Sequence, residues 1–205
     1  MSSIYTEKWV LFLDILGFEA YINDEKKSEM LAEKILLVIN KATKIPSISK
    51  IPMCISQFSD TFVVSCDDLH ALNLITIIMQ AYLLSNCLLS RGAITYGKVF
   101  HNGSQFIGPA INRAYNLEKL EAIYPRVIID PECEQHPSVR SLFDANTYSA
   151  NILKDYDGYL YINFLTQFRK FDDIEKLFKQ YNNTKHRGKY TWLKQKADEF
   201  VQNTK

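Results

Sequence analysis

The stretch that decides the fold is Trp9-Val10-Leu11-Phe12-Leu13-Asp14-Ile15-Leu16-Gly17-Phe18, in which five consecutive apolar residues run into a carboxylate. An apolar run without polar alternation, rich in β-branched and aromatic residues and bounded by a glycine, predicts a strand that is buried on both faces. A carboxylate at the end of such a strand is costly unless it is hydrogen-bonded, paired with a cation or bound to a metal ion. Asp14 is therefore either the cap of a following helix or part of a site.

The composition is that of a globular chain long enough for one sizeable domain. Its 205 residues are 47% hydrophobic, and the net charge of +1 gives no electrostatic signature of a nucleic-acid-binding protein. The first residues lack an export signal, so we expect a cytoplasmic protein. The spacing of the cysteines is not that of a zinc site or a disulfide framework, and predicts reduced thiols: Cys54, Cys66, Cys87 and Cys133.

The segment from Leu72 to Leu89 is apolar enough to be mistaken for a membrane span. However, Asn73, Thr76 and Gln80 recur at roughly helical spacing and give the segment a polar stripe. We therefore expect a helix buried within the domain and no association with a membrane.

The predicted order of elements is strand, helix, strand, strand, helix, strand, helix, strand, followed by two terminal helices. This order contains the β-α-β-β-α-β unit of a ferredoxin-like α+β fold. Apart from the first strand, the predicted strands are two short runs within 53–65 joined at Ser59-Asp60, then Arg91–Gly97, Arg126–Asp130 and Tyr159–Ile162.

In a ferredoxin-like sheet the first strand lies beside the hairpin, so Asp14 and Asp60 converge. Two neighbouring carboxylates repel each other unless they share a proton or a cation, and such oxygen ligands beside phosphates are typical of Mg²⁺ or Mn²⁺ sites. Backbone N–H groups of Gly17 and Phe18, at the start of a helix, are suited to bind phosphate. Asp60 alone would be an ordinary turn residue, but the pairing favours a metal site.

Four segments carry a resemblance to a known family. They are Phe12-Leu13-Asp14-Ile15-Leu16-Gly17-Phe18, Phe58-Ser59-Asp60-Thr61, Arg91-Gly92-Ala93-Ile94-Thr95-Tyr96-Gly97 and Gly108-Pro109-Ala110-Ile111-Asn112-Arg113-Ala114-Tyr115-Asn116-Leu117-Glu118. Together they resemble class III nucleotidyl cyclases, and within that group the small bacterial cyclases of Pycsar antiphage defence, which make cyclic pyrimidine mononucleotides. The resemblance covers about residues 8 to 130.

The resemblance implies a class III cyclase core over residues 1–165, with a helical extension over 166–205 packed on the same domain. It implies two Mg²⁺ or Mn²⁺ ions at Asp14, Asp60 and the backbone carbonyl of Ile15. In that family the metal ions bind the triphosphate and activate the ribose 3′-hydroxyl, which attacks the α-phosphate and expels pyrophosphate. The substrate-binding residues implied beside the metal ions are Ile15, Leu16, Gly17 and Phe18.

Two further positions correspond to the residues that read the base in the family's purine enzymes. Ser56 stands where those enzymes have a lysine or glutamate, and Gln105 lies near their second base-reading position. Neutral groups that both donate and accept hydrogen bonds suit a pyrimidine edge, which favours UTP or CTP as the substrate.

The helix from Gly108 departs from the family pattern. Asn112 matches the family's asparagine, but Asn116 replaces an arginine that stabilises the transition state across the dimer interface. Loss of such an arginine is costly unless another cation replaces it. Arg91 and Arg113 are the candidates, and we favour Arg91, for which a surface salt bridge is the alternative interpretation.

The resemblance therefore implies a head-to-tail homodimer in which Asp14 and Asp60 come from one subunit, while Asn112, Asn116 and Arg91 reach in from the other. Two alternatives stay open. One is a degenerate cyclase fold that binds a nucleotide or a partner without turnover, and the other is a purine cyclase.

The histidines have no partner spacing and are interpreted as surface or turn residues: His70, His101, His136 and His186. The basic cluster from Lys185 to Lys189 is interpreted as a solvated loop between helices and not as a nucleic-acid site.

Overall fold

The computed structural model describes residues 3–23, 25–44, 50–144, 150–168, 172–181 and 187–203. The strands are β1 (Thr6–Leu16), β2 (Met53–Phe58), β3 (Thr61–Cys66), β4 (Leu89–His101), β5 (Phe106–Ile107), β6 (Val127–Ile129), β7 (Ile152–Lys154) and β8 (Leu160–Ile162). The helices are α1 (Glu19–Ile22), α2 (Glu25–Thr43), α3 (Leu69–Ser85), α4 (Pro109–Leu120), α5 (Pro137–Leu142), α6 (Asp172–Tyr181) and α7 (Arg187–Asn203).

The sheet has the strand order β2-β3-β1-β4-β6-β8-β7, and β5 pairs with β4 beside this path. β1 is antiparallel to both of its neighbours, β3 and β4. β4 and β6 run parallel, which requires the crossover connection that α4 supplies. The order β2-β3-β1-β4 is that of a ferredoxin-like unit, so the predicted α+β class is confirmed. The predicted C-terminal strand is β8, and its partner β7 was not predicted from the sequence.

β1 is buried on both faces, as its apolar sequence predicts. Trp9, Leu11 and Leu13 belong to the main core, which also contains side chains of α2 and α3. Val10 belongs to a second cluster formed with α4, and Phe12 packs against that cluster. Because side chains alternate along a strand, Asp14 lies on the same face as Val10 and Phe12, under α4.

The apolar segment after the hairpin forms the predicted buried helix, α3. The side chain of Asp68 caps α3 by accepting a hydrogen bond from the His70 N–H at 2.8 Å. The polar residues Asn73, Thr76 and Gln80 are all buried, and the Thr76 hydroxyl donates to the Leu72 carbonyl. None of the helices in the described ranges combines the length and the hydropathy of a membrane span.

Two glycines are required by close packing around β4. A Cβ atom on Gly92 would lie 2.3 Å from the Phe12 carbonyl oxygen on β1, which is closer than real atoms approach. Gly108, at the start of α4, has a φ of 148°, and its Cβ would lie 2.6 Å from the Lys98 carbonyl oxygen. A side chain at either position would push neighbouring backbone away.

The C-terminal helix α7 is joined to the sheet by a buried cluster of charges. Arg126 is fully buried and forms ion pairs with Asp155 and Asp157. Asp155 also accepts a hydrogen bond from Trp192 Nε1 at 2.8 Å and lies 3.1 Å from Lys196 Nζ. Both α6 and α7 contribute side chains to the main core. The division of the chain at residue 165 stays a prediction.

Replacing Asp155 by alanine is expected to lower the free energy of unfolding by about 3 kcal/mol or more, because Arg126 would then lose a partner inside the protein. Urea unfolding measures this loss. The matched control is Glu175→Gln, which breaks the exposed ion pair with Lys194 at 2.6 Å and is expected to cost about 1 kcal/mol or less. Equal losses in the two variants would contradict the assignment.

Candidate active site

The turn between β2 and β3 brings Asp60 to the end of β1. Ser59 and Asp60 form a two-residue loop, and Ser59 has a φ of 54°, as tight hairpin loops require. The N–H of Ile15 donates to the Asp60 carbonyl at 3.0 Å. The structure therefore brings the two predicted metal-binding aspartates to the same end of the sheet.

Cross-strand register places several of the predicted side chains on one face of the sheet. Asp14 pairs with Thr61 on β3 and with Arg91 on β4. Ser56 on β2 pairs with Val63 on β3, and Val63 pairs with Phe12 on β1, two residues before Asp14. Residues paired across neighbouring antiparallel strands share a face, so Asp14, Arg91 and Ser56 all lie on the face that α4 covers.

Arg91 is held between two carboxylates of its own chain. Its Nε atom lies 2.8 Å from Glu118 Oε1 and 3.8 Å from Asp14 Oδ2. Its Nη1 atom donates to the Ala122 carbonyl at 3.4 Å. This position differs from the expectation that Arg91 reaches the site from a partner, because register and ion pairing both hold it beside Asp14 of the same chain.

The carboxyl of Asp14 is poorly stabilised as an anion. Burial raises its pKa to about 7, and the negative charges of Glu118 and Asp60 contribute to the increase. The positive charges of Arg91 and Lys189 act in the opposite direction. Burial also raises the pKa of Glu118, although Arg91 lowers it. This cluster has three carboxyl groups and two cations, so it carries a net negative charge when all of its members are ionised: Asp14, Asp60, Glu118, Arg91 and Lys189.

Sequence reasoning missed two members of this cluster, Glu118 and Lys189. Glu118 is only 4% exposed, and the signal was available, because Ala110, Ala114 and Glu118 recur every four residues on the buried face of α4. Lys189 was assigned to a solvated loop. It lies instead in the first turn of α7, where it is half-buried and its pKa is lowered by burial.

Arg113, the other candidate for the missing arginine, is committed elsewhere. Its Nε and Nη2 atoms donate to Asp130 at 2.5 and 2.7 Å, and Nη2 lies 2.9 Å from Glu132 Oε1. Asp130 is buried and also accepts from the Thr95 hydroxyl at 2.7 Å. This network ties α4 to the segment after β6, and Arg91 is the candidate that lies beside Asp14.

Asn112 and Asn116 are exposed on the outer side of α4, while Glu118 is turned towards the sheet. Both asparagines line an open groove of about 730 Å³ together with Ile107 and Leu120. Within one chain the structure therefore does not bring these asparagines together with Asp14.

The two predicted base-reading residues lie close to each other. The Ser56 hydroxyl oxygen lies 2.6 Å from the Gly103 carbonyl oxygen, in the turn that also holds Gln105. The N–H of Gln105 donates to Asn102 Oδ1 at 2.8 Å, which closes this turn. Ser56 is buried and Gln105 is exposed.

Two of the four histidines that were interpreted as surface or turn residues are half-buried and have specific partners. His101 is half-buried, and its ring nitrogens each lie 2.8 Å from a serine hydroxyl. His136 packs edge-on against Trp9, with ring centroids 4.9 Å apart. His70 is exposed as predicted, and His186 lies outside the described residues.

The segment after β1 is short and tightly turned. β1 ends at Leu16, Gly17 has a φ of 79°, and α1 that follows Phe18 is a single turn. Because so short a helix has a weak dipole, the individual N–H groups of Gly17 and Phe18 are the feature of this segment that is suited to bind phosphate. Phosphate binding here stays a prediction.

A divalent cation would have few protein ligands at this end of the sheet. Within the described ranges, no three side chains among His, Cys, Asp and Glu are grouped as metal ligands. Asp14 and Asp60 would contribute two carboxylates, and the carbonyl of Ile15 a third oxygen. Such a partial set is typical of Mg²⁺, which retains waters and binds substrate phosphates.

Comparison with solved structures identifies the fold. The chain is similar to a bacterial light-regulated adenylyl cyclase, with a TM-score of 0.50 and 18% identity over 86% of this chain and 98% of the other. A second structure of a bacterial light-regulated adenylyl cyclase gives a TM-score of 0.53 and 15% identity over 86% and 57%. The adenylate/guanylate cyclase/hydrolase from Silicibacter pomeroyi gives 0.50 and 15% over 77% and 95%.

No model of a protein family matches the sequence, and no curated protein sequence is significantly similar to it. At identities of 15–18% the structural similarity establishes that the chain has the fold of these nucleotide cyclases.

Replacing Glu118 by glutamine is expected to lower the pKa of Asp14 from about 7, because the negative charge of Glu118 raises it. Burial is the largest cause of the increase, so the pKa should stay above the ordinary value for aspartate. Carbon NMR titration of the aspartate carboxyl groups in metal-free buffer measures the change.

Two lysine variants are the controls for this titration. Lys189→Met should raise the pKa of Asp14, because the charge of Lys189 lowers it. Lys194→Met, farther along α7 at a lysine paired with Glu175, should leave it unchanged. An unchanged pKa in Glu118→Gln would contradict the proposed cluster.

Proposed function

We propose that this chain is a metal-dependent nucleotidyl cyclase that converts UTP or CTP to the 3′,5′-cyclic monophosphate and pyrophosphate. The observation that carries this proposal is the convergence of Asp14 and Asp60 at the end of β1, in a fold shared with adenylyl cyclases.

The charges of the site suit divalent cations. Asp14 is half-buried beside Asp60 and Glu118, and these surroundings raise its pKa. A bound cation would stabilise the ionised carboxylate and lower that pKa. Asp14, Asp60 and the Ile15 carbonyl would hold two Mg²⁺ or Mn²⁺ ions, with phosphate oxygens and waters as the other ligands. When bound, such ions lower the pKa of the ribose 3′-hydroxyl and neutralise charge on the triphosphate.

Arg91 is the residue of this chain best suited to the developing phosphoryl charge. Its guanidinium lies beside Asp14, with the Nε atom 2.8 Å from a Glu118 carboxylate oxygen and the Nη1 atom donating to the Ala122 carbonyl. A positively charged group that is already oriented pays no reorganisation in the transition state. Arg91 would then replace the arginine that the family has at position 116, and the N–H groups of Gly17 and Phe18 would bind the phosphates.

A head-to-tail homodimer would complete the site. Asn112 and Asn116 are exposed on α4 and turned away from Asp14, so they would serve the site of a second copy. Tyr115 and Leu120 are exposed on the same helix, at 40% and 66%. Large apolar side chains of this kind are suited to an interface between subunits.

The choice of a pyrimidine rests on Ser56 and Gln105, which are close together and uncharged. The further role of the product, as a second messenger in antiphage defence within the cytoplasm, rests on the resemblance of the four sequence segments. Detection of an adjacent gene for a cyclic-nucleotide-binding effector would support that role.

The second candidate function is nucleotide binding without turnover, and the observation that favours it is Asn116 in place of the family's arginine. Binding of a nucleoside triphosphate with Mn²⁺ but without any product would support it. A purine cyclase is the remaining candidate, and the same assay with four nucleotides distinguishes it.

Incubation of the protein with each of the four NTPs and Mn²⁺ is expected to give cyclic UMP or cyclic CMP, detected by mass spectrometry. Asp60→Asn should reduce the rate by about 100-fold or more, because the triphosphate and the 3′-hydroxyl lose a metal ligand. The matched control is Asp67→Asn, at an exposed aspartate that also lies near a strand end. Absence of product from all four NTPs, or undiminished activity of Asp60→Asn, would refute the proposal.

Mixing two inactive variants is expected to restore activity if the site is shared between subunits. Asp60→Asn removes a metal ligand and Asn112→Ala removes the group contributed by the partner, so a mixed dimer retains one intact site. The measurement is cyclic nucleotide formed after the two variants are combined. If the mixture is as inactive as each variant alone, although mixed dimers form, the shared site is wrong.

A further inference from the structure

His101 connects the candidate base-reading residue to the interior of the sheet. Its Nε2 atom lies 2.8 Å from the Ser56 hydroxyl, and its Nδ1 atom lies 2.8 Å from the hydroxyl of Ser65. Ser65 is fully buried on β3. The ring of Phe106 packs edge-on against the imidazole at 5.8 Å. The imidazole is therefore fixed at both nitrogens and on one side.

The hydrogens of this chain of groups can be assigned from the Gly103 carbonyl, which can only accept. It lies 2.6 Å from the Ser56 hydroxyl oxygen, and a contact this short requires the single hydrogen of Ser56. Ser56 must then accept from His101, so Nε2 carries a hydrogen. In the neutral imidazole Nδ1 is the acceptor, and it receives the hydrogen of Ser65.

The neutral form of His101 agrees with its surroundings. Burial lowers the pKa of His101, and the positive charge of Lys8 lowers it further. At neutral pH the ring therefore carries one hydrogen, which the contact with Ser56 places on Nε2.

The consequence concerns what Ser56 can offer to a ligand. A free hydroxyl can donate or accept, but Ser56 has its hydrogen directed to Gly103 and one lone pair occupied by His101. The remaining lone pair can only accept. Only 7% of Ser56 is exposed, so the hydroxyl cannot turn outward without breaking both contacts.

We propose that His101 is a positioning residue for base selection, which holds Ser56 as a hydrogen-bond acceptor and so favours a base that presents an N–H group there. This proposal rests on the proposed function. If a base presents a carbonyl or a bare ring nitrogen to Ser56, both the base atom and the serine oxygen are acceptors, and no hydrogen lies between them. Such a mismatch lowers affinity more than the loss of one methylene group from a ligand in an apolar pocket.

The first test needs no activity. Long-range proton–nitrogen NMR of histidine-labelled wild-type protein is expected to show the His101 hydrogen on Nε2 and a bare Nδ1. Observation of the hydrogen on Nδ1 would overturn the proposal, because Ser56 would then have to donate to His101.

The second test is base discrimination, measured as the ratio of kcat/KM for UTP and CTP. His101→Leu should change this ratio by about three- to tenfold, which corresponds to one hydrogen bond, whereas His101→Gln, which keeps an N–H donor, should change it less. His70→Gln, at an exposed histidine bonded to Ser141, is the control. Equal losses for both nucleotides in His101→Leu would indicate a merely structural role and overturn the proposal.

Failure of the proposed function can be distinguished from failure of the proposed role of His101. If the wild type forms no cyclic nucleotide, the ratio of UTP to CTP affinity in the presence of Mn²⁺ replaces the kinetic ratio for the same variants. A binding ratio that His101→Leu leaves unchanged overturns the role of His101, and a changed ratio supports it without turnover.

Discussion

The site depends on the unbroken antiparallel pairing of β1 with β4, from Thr6 opposite Val99 to Leu16 opposite Leu89. The absence of a side chain at Gly92 allows the two backbones their close approach. This pairing sets Asp14 opposite Arg91 before any side-chain interaction is considered. The backbone pairing of the two strands therefore places the Arg91 guanidinium beside the Asp14 carboxylate.

The cluster under α4 costs the protein stability. The pKa of Asp14 is raised above its value in an unfolded chain, so the stability present at low pH is lost as the pH rises through about 7 and the carboxyl ionises. An apolar residue would avoid this cost. Proteins retain such local conflicts where function requires them, and in this chain the conflict coincides with the end of the central strand.

The sequence predicted those features that depend on neighbouring residues. The run from Trp9 to Leu13 identified the buried strand, and the spacing of Asn73, Thr76 and Gln80 identified α3 as a helix buried within the domain. The convergence of Asp14 with Asp60 followed once the topology was inferred. Contacts between residues far apart in the chain leave no pattern among neighbouring residues, so the sequence did not predict them. Lys189 is half-buried because α7 packs on the sheet, and the proposed role of His101 depends on serines from two other strands.

The fixed hydroxyl of Ser56 has a consequence for how related chains are compared. Serine at this position does not specify what a pocket accepts, because the same hydroxyl can present a hydrogen or a lone pair. Whether Ser56 presents a hydrogen or a lone pair is decided by the residue at position 101 and by the carbonyl of residue 103. That carbonyl belongs to the backbone, so any residue type at position 103 supplies it. If the base contacts Ser56 as proposed, two homologues could share every residue that touches the nucleotide and still prefer different bases. An alignment restricted to contact positions would describe them as equivalent.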